Sequence, residues 1–164
     1  MNNSFKWVKL FSWIGALLII SSFIGISNDE SVKTWYVNIN KSPLTPPNYM
    51  FGIAWSILYV LIAISGWIIW EYKTTNNEVI IKSLYIIQLI FNWLWTPLFF
   101  RYQYIGLCFY ILILIMTITA ILIVLLCTSK SSYQKLSGLL LTPYLFWLMF
   151  ATHLNFYILH HNNF

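Results

Sequence analysis

The stretch Ile111-Leu-Ile-Leu-Ile-Met-Thr-Ile-Thr-Ala-Ile-Leu-Ile-Val-Leu-Leu126 is apolar on every face, with no charge and no alternation. A strand of a membrane β-barrel would alternate apolar and polar residues over about ten positions, whereas a helix embedded in lipid needs no such pattern. The segment therefore reads as a transmembrane helix. The rest of the chain agrees: 60% of its residues are hydrophobic, only 8% are charged and its mean hydropathy is +0.74. Soluble domains carry roughly 25% charged residues. At about 20 residues per bilayer crossing, 164 residues fit one domain, 1–164, an all-α integral membrane bundle of five transmembrane helices. The spans are expected near Trp7 to Ile26, Tyr49 to Trp70, Leu84 to Phe100, Tyr104 to Leu126 and Leu136 to Leu159. Polar breaks fall at Ser27 to Asn48, Glu71 to Ser83, Arg101 to Gln103 and Cys127 to Lys135.

Lys6 and Lys9 ahead of an apolar stretch resemble a signal peptide, but no small-x-small cleavage site follows, so the first segment reads as a retained helix. The formal charge of +5 is unevenly distributed. Lys6, Lys9, Lys73, Lys82, Lys130 and Lys135 fall on the N-terminal side of the spans, against Lys33, Lys41 and Arg101 on the other. By the positive-inside rule the N-terminus is expected in the cytoplasm, with the long first loop and the C-terminus outside. The charge is thereby explained by a lipid bilayer, without a nucleic-acid partner.

Cys108 and Cys127 lie roughly 28 Å apart along one helix at 1.5 Å per residue, too far for a disulfide. His153, His160 and His161 have no Cys or carboxylate at ligand spacing, and no metal site is expected. His153 falls inside the fifth span, where an ionisable group is a functional suspect; a neutral imidazole bonded to a neighbouring helix is the blander expectation. Asp29, Glu30, Glu71 and Glu78 are the only acids, all in loops. No Gly-rich phosphate loop, Ser/His/Asp constellation or paired carboxylate is present, which argues against conventional hydrolysis and phosphoryl transfer and names no catalytic residue.

What remains is aromatic. Phe, Trp and Tyr make up 20% of the chain. Trp7, Trp35 and Trp70 fit the belt that anchors helices at the membrane interface. Trp55, Trp95 and Trp147 lie at least a turn inside their spans, beside Ala54, Pro97 and Pro143. Prolines there open kinks, and kinks beside broad aromatic faces can form a cavity for a flat apolar ligand; plain helix packing is the alternative.

Three blocks carry a family resemblance: Trp35-Tyr36 with Lys41-Ser-Pro-Leu-Thr-Pro-Pro47 and Phe51-Gly-Ile-Ala-Trp55 through Tyr59; Gln88-Leu-Ile-Phe-Asn92-Trp-Leu-Trp95-Thr-Pro97-Leu-Phe-Phe100; and Pro143-Tyr-Leu-Phe-Trp147-Leu-Met-Phe-Ala151-Thr-His-Leu-Asn155. Their order resembles the TspO/MBR family, the tryptophan-rich sensory proteins and the mitochondrial translocator protein or peripheral benzodiazepine receptor. The resemblance implies a five-helix bundle, commonly a homodimer, whose cavity opens toward the first loop. It implies porphyrins or haem intermediates, sterols and synthetic benzodiazepines as ligands, with no required cofactor. By motif position Tyr36 and Pro46 would form the lid, Trp55 the second-helix wall, Asn92 and Trp95 the third-helix wall, and Trp147 with Ala151 the fifth-helix wall. Asn92 would supply a polar contact.

The chain also departs from the family pattern. Ser42 and Leu44 stand where the lid usually has a proline and an aromatic residue, so weaker lid contacts are expected. Ile111 lies near a position that is acidic in many members. Leu154 to His160 resembles a cholesterol-associated pattern but ends in histidine instead of Lys or Arg. Three functions stay open: a receptor or translocator for porphyrins and other flat apolar molecules, including stress signalling; a light- and oxygen-dependent porphyrin-degrading enzyme with Trp55 and Trp147 beside the ligand; and a scaffold with no ligand. A bacterial cell membrane is expected over a mitochondrial outer membrane.

Overall fold

The structure, a computed structural model, describes residues 3–72 and 77–162; Lys73 lies outside them. Five long helices account for the spans: α1 (Asn3–Ser27), α3 (Asn48–Glu71), α4 (Glu78–Phe100), α5 (Ile105–Cys127) and α6 (Ser132–His161). Each contains a segment long and apolar enough to cross a bilayer. Between α1 and α3 the chain forms a short helix α2 (Asp29–Ser31) and a wide π-type turn, Val32–Tyr36.

Three boundaries differ from the sequence expectation for local reasons. The α4 helix begins at Glu78 instead of Leu84, because a carboxylate in its first turn favours the helix N-terminus and pairs with Lys82 one turn on. The α6 helix begins at Ser132 instead of Leu136, its first turn being too polar for hydropathy to reveal. The supposed polar break after Ser27 is helical through Tyr36, and it turns Tyr36 into the bundle, where the side chain is buried.

Around the bundle the neighbours run α1, α3, α6, α5, α4 and back to α1. Since hydrophobic contact adds little between helices already in lipid, close approach and internal hydrogen bonds hold them together. Ser137 on α6 donates to the Ser65 carbonyl of α3 at 3.1 Å, leaving the Ser65 hydroxyl to donate to Ser137 Oγ at 2.8 Å. At Gly138 a methyl group would stand 2.8 Å from Cys127 Sγ, so glycine there lets α6 reach α5. Gly66 leaves a notch filled by the fully buried Tyr85 ring, whose hydroxyl donates to the Ile62 carbonyl at 2.8 Å.

The two ends of the bundle are pinned differently. At one end Lys9 pairs with Glu71 at 3.0 Å, Gln134 donates to the Tyr72 carbonyl at 2.6 Å, and the Tyr72 and Tyr133 rings stack 3.8 Å apart. At the other, Asn40 of the first loop donates from its backbone to Asn162 Oδ1 at 2.8 Å, while Asn162 Nδ2 donates back to the Asn40 carbonyl at 3.0 Å. The long loop is thereby tied to the C-terminal end of α6.

Candidate functional site

A cavity of about 570 Å³ opens between α1, the α2 and π-turn segment, α3, α4 and α6, at the end of the bundle that carries the first loop. Its size falls within the range of small-molecule sites, roughly 300–1,000 Å³. Helical periodicity builds the walls. Phe51, Trp55 and Tyr59 follow one another at four-residue intervals on α3, as do Trp95 and Phe99 on α4, so each set faces one way. On α6 the same face carries Trp147, Ala151, Asn155 and Ile158.

Those walls meet as aromatic edges and faces. The Trp55 ring lies 6.2 Å from Trp147 nearly edge-on, 5.5 Å from Tyr59 and 6.3 Å from Tyr144. Phe51 meets Trp147 edge-on at 5.9 Å, and Trp95 stacks on Phe99 at 4.8 Å. Tyr36 closes the loop side against Phe99 and Phe100, at 6.2 and 5.4 Å. Lys41 holds that corner by donating to the Tyr36 and Val37 carbonyls at 2.8 and 3.1 Å, its ammonium 5.0 Å from the Tyr36 ring. Burial pushes the Tyr36 phenol above its usual range, so it stays a neutral donor at physiological pH. Small residues preserve the space: a methyl at Gly52 would meet nothing within 4 Å.

Of the residues singled out from sequence, Tyr36, Trp55, Trp95, Trp147 and Ala151 line this cavity together. Asn92 and Pro46 do not. Asn92 Oδ1 accepts from the Tyr59 hydroxyl at 2.6 Å, and its Nδ2 donates to the Tyr144 hydroxyl at 2.9 Å. The amide expected to meet a ligand is instead engaged behind the wall, where it joins α3, α4 and α6. Pro46 sits partly exposed just ahead of α3. Ser42, in place of the usual proline, accepts from the Leu44 and Thr45 backbone and shapes the turn, leaving Leu44 64% exposed and off the cavity.

Further corrections concern single residues. His153 is exposed on α6 and makes no hydrogen bond to a neighbouring helix among the described residues, because the cavity-facing stripe passes through Ala151 and Asn155 instead. Trp35 packs on Phe99 at 5.8 Å, and Trp70, 38% exposed, packs on Trp13 and Tyr85 at 5.2 and 5.5 Å, so both also contact the bundle. Sequence reading assigned no cavity role to Phe51, Tyr59, Phe99, Phe100, Asn28 and Asn155, which line it. For Phe51, Tyr59, Phe99 and Asn155, the four-residue spacing from Trp55, Trp95 and Ala151 was the available signal.

Matching the fold and the aromatic cavity, the model of the TspO/MBR family fits residues 13–161. The chain belongs to the TspO/MBR family. It is 38% identical over 151 residues to the tryptophan-rich protein TspO of Archaeoglobus fulgidus, covering 92% of this chain and 95% of that one. It is 32% identical to the human translocator protein, over 79% of this chain and 75% of the relative. With the tryptophan-rich sensory protein of Cereibacter sphaeroides it shares 31% identity, over 74% and 73% of the two chains. As a TspO/MBR protein with five apolar helices, it is an integral, multi-pass membrane protein.

Proposed function

We propose that the chain is a membrane receptor or translocator-type protein that binds porphyrins, haem intermediates and other flat apolar molecules in the cavity between α1, α3, α4 and α6. The observation that carries the reading is the convergence of Trp55, Trp95 and Trp147 with Tyr36 and Phe99 around about 570 Å³ of space. Indole faces and edges favour conjugated planar molecules over flexible chains. A macrocycle's apolar face would lie against the tryptophans, with its carboxylates at the first-loop end, the end that carries Lys33, Lys41 and Arg101. Ligand binding is read as coupled to stress signalling, with the bundle acting as a homodimer.

A degradative reading rests on the Trp55 and Trp147 rings, 6.2 Å apart on the same cavity. The lysine and arginine asymmetry supports a cytoplasmic N-terminus, with the cavity opening on the opposite side; the membrane proposed for it is a bacterial cell membrane. Titrating protoporphyrin IX into purified protein in lipid nanodiscs tests the reading. Saturable, one-to-one quenching of tryptophan fluorescence is expected; quenching that rises linearly without saturation would refute it. Product analysis of the bound porphyrin in light and in darkness separates binding from degradation.

A further inference from the structure

Asn155 is only 1% exposed on the cavity wall of α6, and neither its Oδ1 nor its Nδ2 has a hydrogen-bond partner among the described residues. A buried primary amide left in that condition is costly, and native bundles rarely keep one without a use. Asn92 shows the contrast, since both ends of its amide are engaged by Tyr59 and Tyr144. Asn155 stands one turn from Ala151 toward the first loop. Two further unpartnered atoms belong to residues of the same cavity: Trp95 Nε1, a donor, and Asn28 Oδ1, an acceptor. The Asn28 amide nitrogen is already committed to the Ile24 carbonyl at 2.8 Å.

The charge of the lining narrows the ligand chemistry. Asp29 is the only charged residue in it, and it is paired with Lys33. A buried carboxylate would find no cation there, and a wholly apolar ligand would leave the Asn155 amide unpaired. A neutral edge that presents a donor beside an acceptor satisfies both requirements. A cis-amide does so, because its N–H and C=O match the Oδ1 and Nδ2 of a primary amide in a two-bond ring.

We propose that Asn155 is a specificity-determining residue of the cavity and that, among the other flat apolar molecules the cavity takes beside porphyrins, it favours those that carry a neutral lactam edge. The inference rests on the ligand-binding reading above and adds to it which edge of the ligand is read. Its discrimination should be strong, since a site built to hydrogen-bond rejects an analogue that leaves its polar groups unpaired.

The test uses the full chain in nanodiscs with two tricyclic probes, phenanthridin-6(5H)-one and its N-methyl analogue, which lacks the N–H donor. Native protein is expected to bind the lactam at least about fivefold more tightly than the N-methyl compound. In Asn155→Leu the two affinities should converge, with helical circular dichroism confirming a folded bundle; Asn155→Ser provides the same comparison if the leucine variant does not fold. Equal affinities in the native protein, or an undiminished preference in the folded variants, would overturn the role of Asn155 while leaving the cavity reading intact. Failure of the lactam to bind native protein would likewise overturn the role of Asn155, and together with unsaturable porphyrin quenching it would remove the cavity reading as well.

Discussion

Replacing Trp147 with leucine, with Trp70→Leu as its counterpart, distinguishes a built ligand cavity from a general abundance of membrane tryptophan. Trp147 lines the cavity and meets Phe51 and Trp55 at 5.9 and 6.2 Å. Trp70 lies outside that lining and packs on Trp13 and Tyr85. An aromatic pair contributes about 0.5–1.5 kcal/mol beyond the area it buries. Loss of one ring face against a porphyrin therefore weakens binding by about two- to tenfold. Leucine keeps part of the apolar area, so complete loss is not expected. Trp70→Leu should leave affinity within about twofold while lowering the midpoint of unfolding, because two ring contacts that join α1, α3 and α4 disappear. Porphyrin titration by fluorescence and a denaturant melt on each variant give both readouts. An equal fall in affinity for both variants, or unchanged affinity in Trp147→Leu, would refute the assignment of cavity and packing roles.

Gly66→Ala should destabilise the bundle by about 1–3 kcal/mol, since the added methyl would stand 2.6 Å from Tyr85 Cζ and the fully buried ring has nowhere to move; an unchanged denaturant midpoint would count against the packing described. In a chain whose native cysteines are replaced by alanine, Asn38→Cys should react with an impermeant maleimide on intact cells and Lys130→Cys only after lysis; the opposite pattern would invert the topology. The proposed homodimer should persist in lipid from low to high salt, as the spans are almost free of charge, and a protein monomeric at every concentration in nanodisc or lipid-retaining detergent would refute it.

Much of the fold was legible because lipid imposes a simple rule: segments such as Ile111 to Leu126 cannot leave backbone polar groups unpaired and must be helical. Helix ends were less legible where polar first turns, such as Ser132 to Lys135, continue a helix beyond its apolar stretch. The tryptophans of the cavity could be picked out by their depth within the spans. Asn92 could not be separated from Asn155 in the same way. Both are asparagines inside apolar helices, and only the positions of Tyr59 and Tyr144 decide which amide is engaged and which is left unpaired.

The most direct test is an experimental structure of the protein in lipid with a porphyrin bound at one equivalent. The ligand is predicted to lie between Trp55, Trp95 and Trp147 beneath Tyr36, with its carboxylates toward the first loop. A porphyrin found instead on the outward, lipid-facing side of the helices, with the cavity unchanged, would contradict the account.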